Sequence, residues 1–131
     1  MELSECVCPG KELRLECTVV GGGSTVWRGT AFDHTCRSDG IVLRHSQFES
    51  GVKGFCNNGM ITGRNVNRTF DGPNSTYISQ LTIQLPLRND TNNTLEEGKT
   101  VECIYDDGHH EMIIGTYMVV HTREGTSMYS Q

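Results

Sequence analysis

The sequence predicts an all-β domain stapled by disulfides, and three observations carry that reading. Apolar residues alternate with period two in several short runs, and no stretch of 11 or more residues keeps them at i, i+3, i+4 and i+7. Clusters of Gly, Asn, Asp and Pro separate the runs. Six cysteines, Cys6, Cys8, Cys17, Cys36, Cys56 and Cys103, stand in a chain of 131 residues that is 35% hydrophobic and 7% aromatic. That is a lean supply for one core. An even cysteine count in so small a chain fits a disulfide framework formed in an oxidising compartment.

The elements follow in chain order. Leu13 to Val19 alternates and points Leu13, Leu15, Cys17 and Val19 one way. Gly21-Gly22-Gly23-Ser24 is a turn, and Thr25 to Phe32 reads as the next strand. Ile41 to His45 is a short strand and Met60 to Val66 a weaker one. Tyr77 to Leu85 places Tyr77, Ser79, Leu81, Ile83 and Leu85 on one face. Thr100 to Tyr105 is a strand, Asp107-Gly108 is a hairpin turn signal, and Met112 to His121 is the last strand. Seven or eight short strands with no helix indicate a sandwich or a barrel. Residues 1–122 form the domain; residues 123–131 have no strand pattern and read as a linker or terminal tail.

Four N-x-[ST] sequons begin at Asn67, Asn74, Asn89 and Asn92. The 8 Asn and 23 Ser plus Thr of this chain give roughly 1.4 sequons by chance, so four is an excess. With the cysteines, they place the chain outside the cell. The first residues carry no basic and apolar leader, and no apolar run reaches the length of a membrane span. The expectation is a piece of a longer surface or secreted protein, with Met1 an added start residue.

Catalytic chemistry finds no foothold. Gly-x-Ser-x-Gly, His-Glu-x-x-His and a phosphate-binding loop are missing, and His34 and His45 have no partner pattern. No helix or Lys-Ser/Thr follows Gly21-Gly22-Gly23, so it is not a nucleotide cradle. A net charge of −5 gives no basic footprint for nucleic acid. Asp106-Asp107-Gly108-His109-His110-Glu111 gathers possible zinc or calcium ligands. Adjacent histidines in a hairpin point to opposite faces, however, and a solvated turn is the preferred reading. No metal or cofactor is expected, and the chain is read as a binder rather than an enzyme.

Cys17 in mid-strand, Trp27 ten residues on and Cys103 in the next-to-last strand resemble the immunoglobulin superfamily. That resemblance implies a two-sheet, variable-like sandwich with a C′ region, a Cys17–Cys103 bridge between the sheets and Trp27 packed on it. Thr76 to Ile83 is similar to a strand E, and Gly115 to Val120 to the end of a strand G. Cys8 to Leu13, Cys17 to Trp27, Leu43 to Phe48 and Cys56 to Gly59 look like the tandem Ig-like repeats of demosponge surface receptors and adhesion proteins. Val101 replaces the tyrosine that the family usually places two residues before the second cysteine. Cys36 and Cys56 flank the C′ stretch and can bridge. Cys6 and Cys8 are too close for an unstrained mutual bridge, so one pairs with Cys36 or Cys56, or outside the domain.

The resemblance implies a recognition or adhesion module for a protein or glycan. Its alternatives are a structural spacer in a tandem array and a secreted soluble effector. The sequons fall on strands D and E and the E–F loop, which leaves the C–C′–F–G face bare. Arg28, Arg44, Tyr105, Asp107 and Tyr117 are its candidate contact residues. Residues 28–68 carry six bases against three acids, a net of +3, and residues 69–131 carry nine acids against three bases, a net of −6. A face with one basic and one acidic edge suits weak homophilic pairing by a two-fold. Neutralisation between neighbouring strands of one domain is the competing and slightly favoured outcome.

Overall fold

The computed structural model describes residues 2–7, 12–32, 37–38, 41–42, 47–49, 51–56, 59–69, 74–84, 97–122 and 125–131. Among them are twelve strands: β1 (Glu2–Val7), β2 (Glu12–Val20), β3 (Ser24–Arg28), β4 (Arg37–Ser38), β5 (Ile41–Val42), β6 (Phe48–Glu49), β7 (Lys53–Cys56), β8 (Gly59–Val66), β9 (Thr76–Gln84), β10 (Thr100–Asp106), β11 (Glu111–Thr122) and β12 (Gly125–Ser130). Two six-stranded sheets result, ordered β1-β12-β11-β10-β3-β6 and β2-β9-β8-β7-β4-β5. Every pairing is antiparallel.

Alternation builds the core. Leu13, Leu15, Cys17 and Val19 of β2 turn inward and are buried, while the residues between them are exposed. Tyr77, Ser79, Leu81 and Ile83 of β9 also turn inward and are buried, with Ile78 and Thr82 between them half-buried, and Leu85 lies outside the described residues. Gln80 breaks the phase. Its amide is buried on the outer face because Arg64 Nε donates to Oε1 at 2.8 Å and its own Nε2 donates to Glu16 Oε1 at 3.0 Å. The three residues share one row across β2, β9 and β8.

Cys17 of one sheet and Cys103 of the other form a disulfide across the layers, with Cα atoms 6.6 Å apart. Trp27 pairs in register with Cys103 and is 1% exposed; its indole N–H donates to Ser79 Oγ on the opposite sheet at 2.9 Å. This is an immunoglobulin-like two-sheet β-sandwich. Val101 is wholly buried and adds only apolar contact where a tyrosine was absent.

Four expectations change. The strand expected over 25–32 stops at Arg28, and a 3-10 turn, Thr30–Phe32, follows. Gly29 sits so close to the Thr100 carbonyl and Val101 that no side chain fits, and Phe32 then folds inward edge-on against Phe48 at 5.2 Å. Met60 to Val66 is no weak strand: β8 pairs along its length with β9. The C′ region divides, with β6 joining β3 while β4, β5 and β7 join the other sheet. The fourth change concerns the expected tail. Residues 125–130 are β12, bonded to β11 on one side and β1 on the other, with Met128 wholly buried. A single large apolar residue facing the core suffices there, because both neighbours supply hydrogen bonds. Cys8, Cys36 and the side chains of Cys6 and Cys56 lie outside the described residues. Their chain neighbours Arg37 and Phe55 are antiparallel partners.

Candidate binding face and loop-end cleft

On the outer side of β3, β10 and β11 the register sets three rows. Ser24, Asp106 and Glu111 form one, Val26, Ile104 and Ile113 the next, and Arg28, Glu102 and Thr116 the third. Ile104 points away from the core, since Cys103 beside it points in, yet it is 1% exposed. Arg28 Nη2 donates to Glu111 Oε2 at 3.1 Å. These residues lie two rows apart and two strands apart, on opposite sides of Ile104, so the ion pair crosses above it. The pair is 37% and 53% exposed at its side chains and contributes only about 0–1 kcal/mol directly. The diagonal runs across the position of Ile104, whose full burial gains about 1.5–3 kcal/mol, more than the ion pair itself. Ile113, next in the apolar row, remains 56% exposed. A β-bulge between Cys103 and Ile104 sets this arrangement, leaving Ile114 as the extra residue of β11 and turning it towards the core.

The candidate residues of this face separate. Arg28 is on it. Arg44 lies outside the described residues. Tyr105 and Tyr117 are on the inner side, which corrects their assignment as contact residues. Tyr117 packs on Trp27 with ring centroids 6.2 Å apart, and its hydroxyl donates to the Glu16 carbonyl at 2.8 Å, tying the two sheets. Tyr105 is in phase with Cys103, and its hydroxyl accepts from Gly23 N–H at 3.0 Å. Tyr77 completes the clamp by donating to the Gly23 carbonyl at 3.1 Å. A Cβ at position 23 overlaps the Asp106 carbonyl, so glycine is required at that close approach. The basic edge also dissolves. Arg37, Lys53 and Arg64 belong to β4, β7 and β8 of the opposite sheet. Opposite charges on this face meet within one domain, as Arg28 and Glu111 show.

Asp107 lies at the end of the sheet, in the β10–β11 turn. Its Oδ1 accepts from the backbone N–H of His109 at 2.7 Å and of His110 at 2.8 Å. Those two bonds hold its carboxyl below the usual carboxylate range. Asp106 Oδ1 accepts from Gly108 N–H at 2.8 Å, and Gly108 takes the φ of 97° that the turn needs. The acidic turn thus satisfies its own backbone. Among the described residues no group of three or more His, Cys, Asp or Glu side chains is placed to hold a metal ion.

Beside this turn opens a cleft of about 590 Å³, lined by Gly22, Gly23, Glu49, Asn65, Arg68 and Asp106 among others. Arg68 lies over the Tyr77 ring, 4.6 Å from its centroid. Asn67 and Asn74 are exposed in the β8–β9 connection at the same end, where Gly21 N–H donates to the Ser75 carbonyl at 2.8 Å. Thr69 and Thr76, the hydroxyl residues of these two sequons, bond each other at 2.9 Å. The connection therefore places both acceptors at the loop end rather than on the flat of the second sheet. Asn89 and Asn92 lie outside the described residues.

No protein-family model, curated protein or solved structure matches the chain. The cross-strand row through Ile104 is the feature that sequence reasoning missed. Ile104 carried a signal, being out of phase with Cys103, but Ile113 did not: alternation back from Val119 turns it inward, and only the bulge at Ile114 brings it outward.

Proposed function

We propose that this chain is an extracellular recognition or adhesion domain of the immunoglobulin superfamily, of the kind found in demosponge surface receptors. Its contact surface is the outer face of β3, β10 and β11, and its partner is a protein or glycan. The observation that carries the reading is the apolar row Val26–Ile104–Ile113, with Ile113 exposed and a charged pair beside it. An apolar centre rimmed by charge is how contact surfaces are composed. Asn67 and Asn74 stand at the loop end, off this row, and the disulfide suits an oxidising compartment. No helix among the described residues is long and apolar enough to cross a membrane.

A photo-crosslinking residue at position 113, compared with one at Thr62 on the opposite sheet, tests the surface on intact cells and on the isolated domain. A defined adduct from position 113 alone supports the reading. Equal labelling from both positions, or none from either, defeats it. An adduct to a second copy of the domain identifies homophilic contact, which rests on the apolar row now that the basic edge is dispersed.

A further inference from the structure

We infer that the domain is mounted sideways on its parent chain and yields by unzipping when tension reaches its two ends. Glu2 of β1 is the antiparallel partner of Ser130 of β12, so the chain enters and leaves the fold at one place. Whatever sequence flanks these strands, the domain adds almost no length along the path of the chain. Inter-strand hydrogen bonds run perpendicular to antiparallel strands. Force applied between Glu2 and Ser130 points along those bonds and opens them one at a time, rather than shearing many together. The bulge between Leu3 and Cys6 interrupts the pairing near its opening end.

Once β1 and β12 are off, tension moves to Glu12 at the start of β2 and Thr122 at the end of β11. Both lie at the same end of the sandwich, because Glu12 pairs with Gln84 and Thr122 with Gly125, both remote from the β10–β11 turn. These strands therefore also peel rather than shear. Peeling stops at the Cys17–Cys103 bridge, whose separation of 86 positions keeps the intervening chain out of the force path. Release of β12 bares the edge of β11 and the core beneath Met128, which is 0% exposed while the strand is seated.

Single-molecule pulling, through handles fused to its termini, of the oxidised domain with Cys6, Cys8, Cys36 and Cys56 replaced by Ser, so that no bridge other than Cys17–Cys103 can halt the peeling, tests the inference. The first event releases about 60 Å of chain, and total extension stops near about 150 Å until a reductant raises it to about 440 Å. Azide-bearing residues at Gly22 and Glu97 provide handles at opposite ends of the strands, where pulling loads them in shear. The first event through the termini is expected at less than half the force found through positions 22 and 97. Equal forces along the two axes, or one-step opening from the termini to the disulfide limit, overturns the proposal.

Discussion

Met128→Ala decides whether residues 125–130 are structural or a tail. Met128 is 0% exposed, faces Val119 and its neighbours in the core, and lies on a strand bonded on both sides. Truncation removes three heavy atoms from a site without solvent, and Met→Ala at such a site costs about 2–5 kcal/mol. Against a typical stability of about 5–15 kcal/mol, that is a large share. At this length it lowers Tm by about 6–20 °C. A substitution on an unpacked tail stays within about 0.5 kcal/mol. Urea unfolding followed by circular dichroism, with Val20→Ala at a 63%-exposed position as the control, separates the two cases. The slope against urea should hold while the midpoint falls. A loss below about 0.5 kcal/mol refutes the placement of β12 in the core.

Four further outcomes are expected. Replacing Cys17 and Cys103 together by Ala removes a closed loop of 86 positions, costs about 4–5 kcal/mol and unfolds the domain near physiological temperature; a fully folded double variant contradicts this. Gly23→Ala forces a Cβ onto the Asp106 carbonyl and the Tyr105 ring, so it destabilises by more than the roughly 1 kcal/mol of an average substitution, measured by thermal unfolding. Asp107 has a lowered folded pKa, so its contribution is present above the unfolded value of about 3.9 and fades as pH falls through the folded value. The stability gap between wild type and Asp107→Ala should therefore narrow on acidification below about pH 4, and a gap that widens there removes the turn's role. Mass spectrometry of protein from a eukaryotic host should find glycan at two or more of Asn67, Asn74, Asn89 and Asn92; complete absence takes away the shielding argument.

Strands with strict alternation were legible because their faces are a local property. β2 and β9 each repeat an inward position every second residue, and a period-two pattern on a half-buried strand has one solution. Short strands were not. Between Arg37 and Cys56 the pieces are two to four residues long and carry no period, and they divide between the sheets by which partner edge they meet. Tyr105 and Tyr117 were read as contact residues of the C–C′–F–G face. Yet Tyr105 shares the phase of Cys103, and only the bulge in β11 fixes where Tyr117 falls.

The sequence by itself determined the all-β class, the long alternating strands and the β10–β11 turn, through side-chain period and the backbone freedom of glycine. By resemblance it also indicated the pairing of Cys17 with Cys103 beneath Trp27. Tertiary structure alone decided that β12 closes the sheet against β1, that Arg28 and Glu111 meet over Ile104, and that Lys53 and Arg64 stand on the sheet opposite the acids of β10 and β11. These are contacts between residues far apart in the chain, and which partners meet depends on how the sheets assemble. No local pattern encodes that choice, because the hydrogen bonds of a strand are the same whichever neighbour receives them.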